Sequence, residues 1–200
     1  GYLKVLFNTE VLPQEDLPYA GLLKSILGSI STEHYSYSDL TSEIHLNSGG
    51  VDFSVTSYPD LADPERFTGA FVASRVLYDK LDFGFTILEE ILNHSVFTDE
   101  KRLGEVIQET RSRAKMKLEN AGHSTAVSRA TSYFSATAYY NELTGGTAYY
   151  HFLEQLEKDY ANKKGEIMAR LQEVSRKLFT RANMLVNYTA DSAELKAFGR

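Results

Sequence analysis

With 200 residues, 42% hydrophobic and 24% charged, the chain can bury a core of its own, which excludes a disordered segment and suits a single domain spanning 1–200. The 27 acidic and 21 basic residues leave a net charge of -6, the wrong sign for a nucleic-acid surface. Without cysteine there is no disulfide or thiolate chemistry, which is compatible with a reducing, cytoplasmic compartment, and no apolar run reaches the ~20 residues of a membrane span.

The chain opens on a β-rich run, Tyr2, Leu3, Val5, Leu6 and Phe7, and the segment Leu12 to Asp16 reads as the turn leading into an amphipathic helix. A chain that begins inside a strand, with no initiator Met and no leader, is expected to be an excerpt of a longer protein. Ser36-Tyr37-Ser38-Asp39 has the form of a capping box for a second helix, which Asn47-Ser48-Gly49-Gly50 ends. Val51, Phe53 and Val55 alternate with polar residues as in a half-buried strand. Tyr58 to Pro64, with two prolines, reads as a loop, and Ala70 to Tyr78 as a strand antiparallel to the preceding one.

Helical periodicity takes over from Lys80. The pattern predicts helices over Lys80–Asn93 and Glu100–Asn120, the latter capped by Asp99, then a tyrosine-rich helix over Ser124–Leu143 stopped by Gly145-Gly146. Two more are predicted over Tyr149–Tyr160 and Lys164–Arg181, with Ile167, Leu171, Val174 and Leu178 as the buried stripe of the second. Met184 to Thr189 reads as a last strand and Ala193 onward as a helix cut short. This order predicts an α+β fold, a largely antiparallel sheet with helices on one face.

Few residues carry chemistry. His151-Phe152-Leu153-Glu154-Gln155 is one residue short of an inverted zinc-peptidase motif, which needs a second imidazole where Gln155 stands, so it reads as amphipathic helix, with an independent hydrolase built on His151 and Glu154 as the rival. Glu90 and His94 sit one turn apart, but two ligands do not make a site and the pair reads as a solvated contact. His34, His45 and His123 have no partner pattern. Arg111 to Lys117 reads as a solvated basic face. The tyrosines of Tyr139-Tyr140 and Tyr149-Tyr150, around Gly145-Gly146, read first as core, and alternatively as a peptide or domain interface, since a phenol joins an apolar face to a polar tip.

Leu17-Pro18-Tyr19-Ala20, Tyr35 to Leu40, Asn47 to Val51 and Leu143-Thr144-Gly145-Gly146 resemble, in order and spacing, the insulinase (pitrilysin) family of zinc metallopeptidases, presequence-protease branch. In that family four homologous α+β domains form a clamshell around a peptide chamber, and only the first binds zinc. This chain resembles the third, the peptidase-associated domain. Laying the family's zinc helix on the first helix here puts its two histidines on Leu22 and Ile26, its glutamate on Ser25 and its third ligand on Leu103. The resemblance therefore implies a domain without catalytic residues, metal or cofactor of its own, zinc in the parent protein, and a peptide substrate. It also implies partnership with the parent's other domains or, for the isolated chain, a homodimer. A free-standing peptide-binding module of the same fold is the alternative.

Overall fold

The computed structural model describes residues 2–48, 50–63, 67–76 and 81–190. A four-stranded antiparallel sheet runs in the order β2-β3-β1-β4, with β1 Tyr2–Asn8, β2 Val51–Pro59, β3 Phe67–Val76 and β4 Met184–Thr189. Val5 pairs with Ala73 on one side and Val186 on the other, and Ala73 with Phe53. Alternation decides which face is covered: Leu3, Val5, Phe7, Phe71 and Ala73 are buried in the main core, while Tyr2 and Lys4 are exposed.

Seven helices accompany the sheet among the described residues: α1 Leu17–Ile26, α2 Tyr37–Asn47, α3 Leu81–His94, α4 Glu100–Asn120, α5 Gly122–Thr131, α6 Ala136–Gly145 and α7 Thr147–Leu178. α1, α4 and α7 present Leu22, Leu23, Ile26, Leu103, Val106, Ile107, Leu153 and the stripe Ile167, Leu171, Val174, Leu178 to one shared core. Phe179 closes it against the sheet, edge-on to Phe7 at 5.0 Å and Phe71 at 5.2 Å. The helix starts follow their caps. Ser36 accepts from the Asp39 amide at the head of α2, and Asp99 accepts from the Arg102 amide at the head of α4.

Several boundaries differ from the sequence reading. Tyr58 and Pro59 belong to β2 rather than to a loop, since a proline is tolerated at the end of an edge strand. The tyrosine-rich segment is two helices. Ser132 turns its hydroxyl back to the Arg129 carbonyl at 2.7 Å, and Ser135 caps α6 by accepting from Ala138, so the serines draw backbone groups away from a continuous helix. The two predicted C-terminal helices form one element that bends at Lys163, whose φ of -123° and ψ of 15° are not helical, and α7 ends at Leu178 rather than Arg181. The Lys80 helix start, the Leu77-Tyr78 strand end and the helix from Ala193 lie outside the described residues.

Candidate functional site

α1 is held in place from three sides. At its head, Asp16 is fully buried and pairs with the Arg170 guanidinium of α7 at 2.5 Å. At Gly21 a Cβ would lie 2.8 Å from the Thr144 carbonyl oxygen and 3.0 Å from the Tyr149 ring, so only glycine lets α1 close on the α6–α7 junction, where the Tyr149 hydroxyl donates to the Gly21 carbonyl at 3.0 Å. Near its end, Lys24 donates to the Thr144 carbonyl at 3.0 Å and lies 5.3 Å from the centre of the Tyr149 ring.

This clamped helix carries Leu22, Ser25 and Ile26. Leu22 and Ile26 are wholly buried, one turn apart, in the same cluster as the buried Leu103 of α4. Ser25 is half-buried and borders a cleft of about 430 Å³ between the end of α1, α2 and the start of edge strand β2. Leucine and isoleucine offer no lone pair, and a single serine hydroxyl holds no zinc, so these four positions can pack but cannot bind a metal or activate water.

The tyrosine-glycine group divides. Tyr140 shares a 2.9 Å hydroxyl hydrogen bond with Thr9 and, like Tyr149, is buried; burial pushes the Tyr140 phenol up to about 12 and that of Tyr149 higher still. Both side chains are thus packed in the interior, as the first reading of them has it. Tyr139 is at the surface, accepting from the Gln14 amide at 3.1 Å, and the half-buried Tyr150 donates to Glu154 at 2.9 Å. Gly145 and Gly146 end α6 beside the buried Glu142, whose carboxylate accepts from the Ala148 amide at 3.0 Å and pairs with Arg129 at 3.4 Å.

The other motifs fall as follows. His151 pairs with Glu154 at 3.2 Å on the surface, and Gln155 is exposed. In the Arg111 to Lys117 run, Arg113 and Lys115 pair along α4 with Glu109 and Glu119, but Arg111 is partly buried and bridges to Glu157 of α7 at 2.6 Å. Glu90 and His94 do not form the solvated contact expected of them. Glu90 is buried and accepts from the His34 amide at 3.1 Å and from His34 Nδ1 at 2.9 Å. Burial opposes its ionisation, but hydrogen bonds from Thr32 and His34 outweigh burial and hold its carboxyl below the usual range. His94 Nδ1 in turn meets Glu33 at 2.8 Å, and the two imidazoles lie edge to face at 5.5 Å. The sequence left His34 without a partner and Glu33 unremarked, because the groups they meet stand 56 and more residues away and no local spacing announces them.

The antiparallel sheet and the helices packed on it define an α+β domain in which Leu22, Ile26 and Leu103 join α1 to α4 through apolar packing. The family model described as Peptidase M16-C associated matches residues 1–156, and the chain belongs to that family. It is similar to Protein HypA of Clostridium perfringens (strain 13 / Type A), 32% identical over 198 residues, covering 98% of this chain and 20% of that protein. It is also similar to a mitochondrial presequence protease of Yarrowia lipolytica, 31% identical over 183 residues, covering 90% and 18%. The chain thus spans about a fifth of the length of the curated relatives it matches. Among solved structures, the inactive peptidase domain of a Bordetella parapertussis protein assigned as a zinc protease has the same fold, with a TM-score of 0.52, 12% identity and coverage of 96% of this chain and 93% of that one. No helix among the described residues is long and apolar enough to cross a membrane.

Proposed function

We propose that this chain is a non-catalytic domain of a longer zinc metalloendopeptidase that degrades peptides, and that it forms part of the wall of the peptide chamber. The observation that carries the reading is the filling of the four positions where the resemblance puts a zinc site: Leu22, Ile26 and Leu103 are buried apolar side chains and Ser25 a lone hydroxyl. A metal-activated water needs imidazole and carboxylate there. On this reading the zinc and the catalytic base belong to another domain of the parent, the peptide is the parent's substrate, and the partners of this chain are the parent's other domains. Absence of cysteine suits a cytoplasmic parent, although several relatives are named for mitochondria or chloroplasts.

The test incubates the purified chain with an unstructured fluorogenic peptide, with and without added Zn²⁺, and measures its association with the separately expressed remainder of the parent. No cleavage and a stable complex are expected. Cleavage abolished by His151→Ala would establish the rival hydrolase. A chain that ignores the other domains and binds peptide alone would establish the free-standing module, and light scattering distinguishes a homodimer from either.

A further inference from the structure

Two imidazoles and a carboxylate converge where the segment between α1 and α2 meets the end of α3. Glu33, His34 and His94 each offer one ligand atom, and these atoms lie within 4.8 Å of one another. We propose that they form a binding site for a divalent transition-metal ion of the zinc type, separate from the positions of Leu22, Ser25, Ile26 and Leu103 and serving as a clip between the two segments. This amends the expectation that the chain carries no metal of its own. It does not depend on the proposed function, because a catalytic assay says nothing about it.

The case begins with the backbone. The Glu33 amide donates to the His94 carbonyl at 2.9 Å, the Val96 amide donates to the Ser31 carbonyl at 3.0 Å, and Thr32 and Ser95 form an antiparallel bridge. These two main-chain hydrogen bonds, which together make the bridge, fix the spacing of the Cα atoms that carry the ligands, so the backbone share of the ordering cost is met before any ion arrives.

The side chains then show the arrangement that tunes a histidine for metal. Glu90, buried beneath the cluster, holds His34 Nδ1 at 2.9 Å and the His34 amide at 3.1 Å, which assigns the proton to Nδ1 and leaves Nε2 with its lone pair free to ligate. A carboxylate behind an imidazole in this way orients the ring and raises its basicity. His94 Nδ1 lies 2.8 Å from a Glu33 carboxylate oxygen, and an ion seated there binds both atoms in place of the hydrogen bond between them, with the neutral ring carrying its one proton on Nε2. Two imidazoles and one carboxylate suit Zn²⁺, Co²⁺ or Ni²⁺ rather than Ca²⁺ or Mg²⁺, which prefer oxygen throughout. Zinc–nitrogen and zinc–oxygen bonds of about 2.0–2.2 Å require donors closer together than 4.8 Å, and Glu33 and His34 are exposed enough for their side chains to swing that short distance.

Isothermal titration of the purified, metal-stripped chain with ZnCl₂ tests this, with visible absorption of the Co²⁺ complex as the measure of geometry. One ion per chain is expected, with a tetrahedral or five-coordinate Co²⁺ spectrum. His34→Ala and His94→Ala should each weaken binding about 100-fold or more, and Glu90→Gln about 10- to 100-fold, as loss of a carboxylate behind a ligating histidine does. His151→Ala, at a separate surface pair, should leave the titration unchanged. If His94→Ala does not fold, the exposed His34 variant decides alone. Absence of binding below millimolar Zn²⁺, or binding that survives His34→Ala, overturns the proposal.

Discussion

Lys24 offers a test of how tightly α1 is sealed against the α6–α7 junction. Burial, and after it the charge of Lys117, pushes its ammonium down from the usual 10.5 to about 8. Because the folded-state pKa lies below the unfolded one, the unfolded chain keeps this proton between about pH 8 and 10.5 while the native chain gives it up. Stability therefore rises with pH across that window, by at most ~1.4 kcal/mol per unit, and by about 1.5 kcal/mol between pH 8 and 9.5. Below pH 8 both states hold the proton, and the buried charge costs roughly 3 kcal/mol relative to a neutral lysine. Above pH 10 the raised phenols of Tyr140 and Tyr149 work in the opposite sense, since they ionise more readily once unfolded, so the measurement stops short of that point. Lys24→Met should abolish the rise. At pH 7 it removes the buried charge but leaves the Thr144 carbonyl without its lysine donor, a loss of about 1–3 kcal/mol, for a net gain of roughly 0–2 kcal/mol. Urea unfolding followed by far-ultraviolet circular dichroism at a series of pH values reads both quantities. A wild-type curve that is flat from pH 8 to 9.5, or a variant that rises as steeply as wild type, would refute the burial argument.

Leu103→Ala should cost about 2–5 kcal/mol in denaturant melts, because Leu103 is buried among α1, α4 and α7, whereas the exposed Gln155→Ala should lie within about 0.5 kcal/mol of wild type. Equal effects would remove Leu103 from the core. Asp16→Ala breaks a buried pair, but the Arg170 side chain left behind is 34% exposed and can turn to water, so the loss measured in the same melts should fall at the low end of roughly 3–5 kcal/mol. Tyr140→Phe deletes the buried hydroxyl contact with Thr9 and should lower stability by about 1 kcal/mol; a double variant with Thr9→Val that recovers most of this loss would confirm the pairing.

Elements with a strong, sustained period were readable from the sequence. The β-rich run of β1, the Asp99 cap of α4 and the Ile167–Leu178 stripe of α7 all stand where local residue patterns placed them, since each follows from neighbours within a turn or two. The break between α5 and α6 was not readable: serines inside a helical pattern are tolerated at an exposed face, and only the local turn of Ser132 onto Arg129 reveals the stop. Sequence reasoning was weakest where chemistry depends on distant segments. Glu90 looked like a surface carboxylate one turn from His94, and only the return of the α1–α2 segment over α3 buries it and supplies His34. Lys24 likewise sits in an ordinary amphipathic stretch until α6 and α7 close over it.

On the proposed reading, the exchange of zinc ligands for aliphatic side chains also has a mechanical meaning. A buried site of two imidazoles and a carboxylate is stable only when metal and supporting hydrogen bonds satisfy every polar group, and removing the metal would leave several of them orphaned. Leu22, Ile26 and Leu103 carry no such dependence: they join α1 to α4 through burial alone, which needs no ion and no second layer of hydrogen bonds. Gly21 and Tyr149 then fix the opposite side of α1 by close approach and a buried hydrogen bond, and Asp16 with Arg170 fixes its head. None of these restraints depends on a bound ion. A catalytic helix gains from ligands that respond to a reacting group, whereas a wall gains from a helix that does not respond, and the side chains of α1 meet the second requirement at the expense of the first.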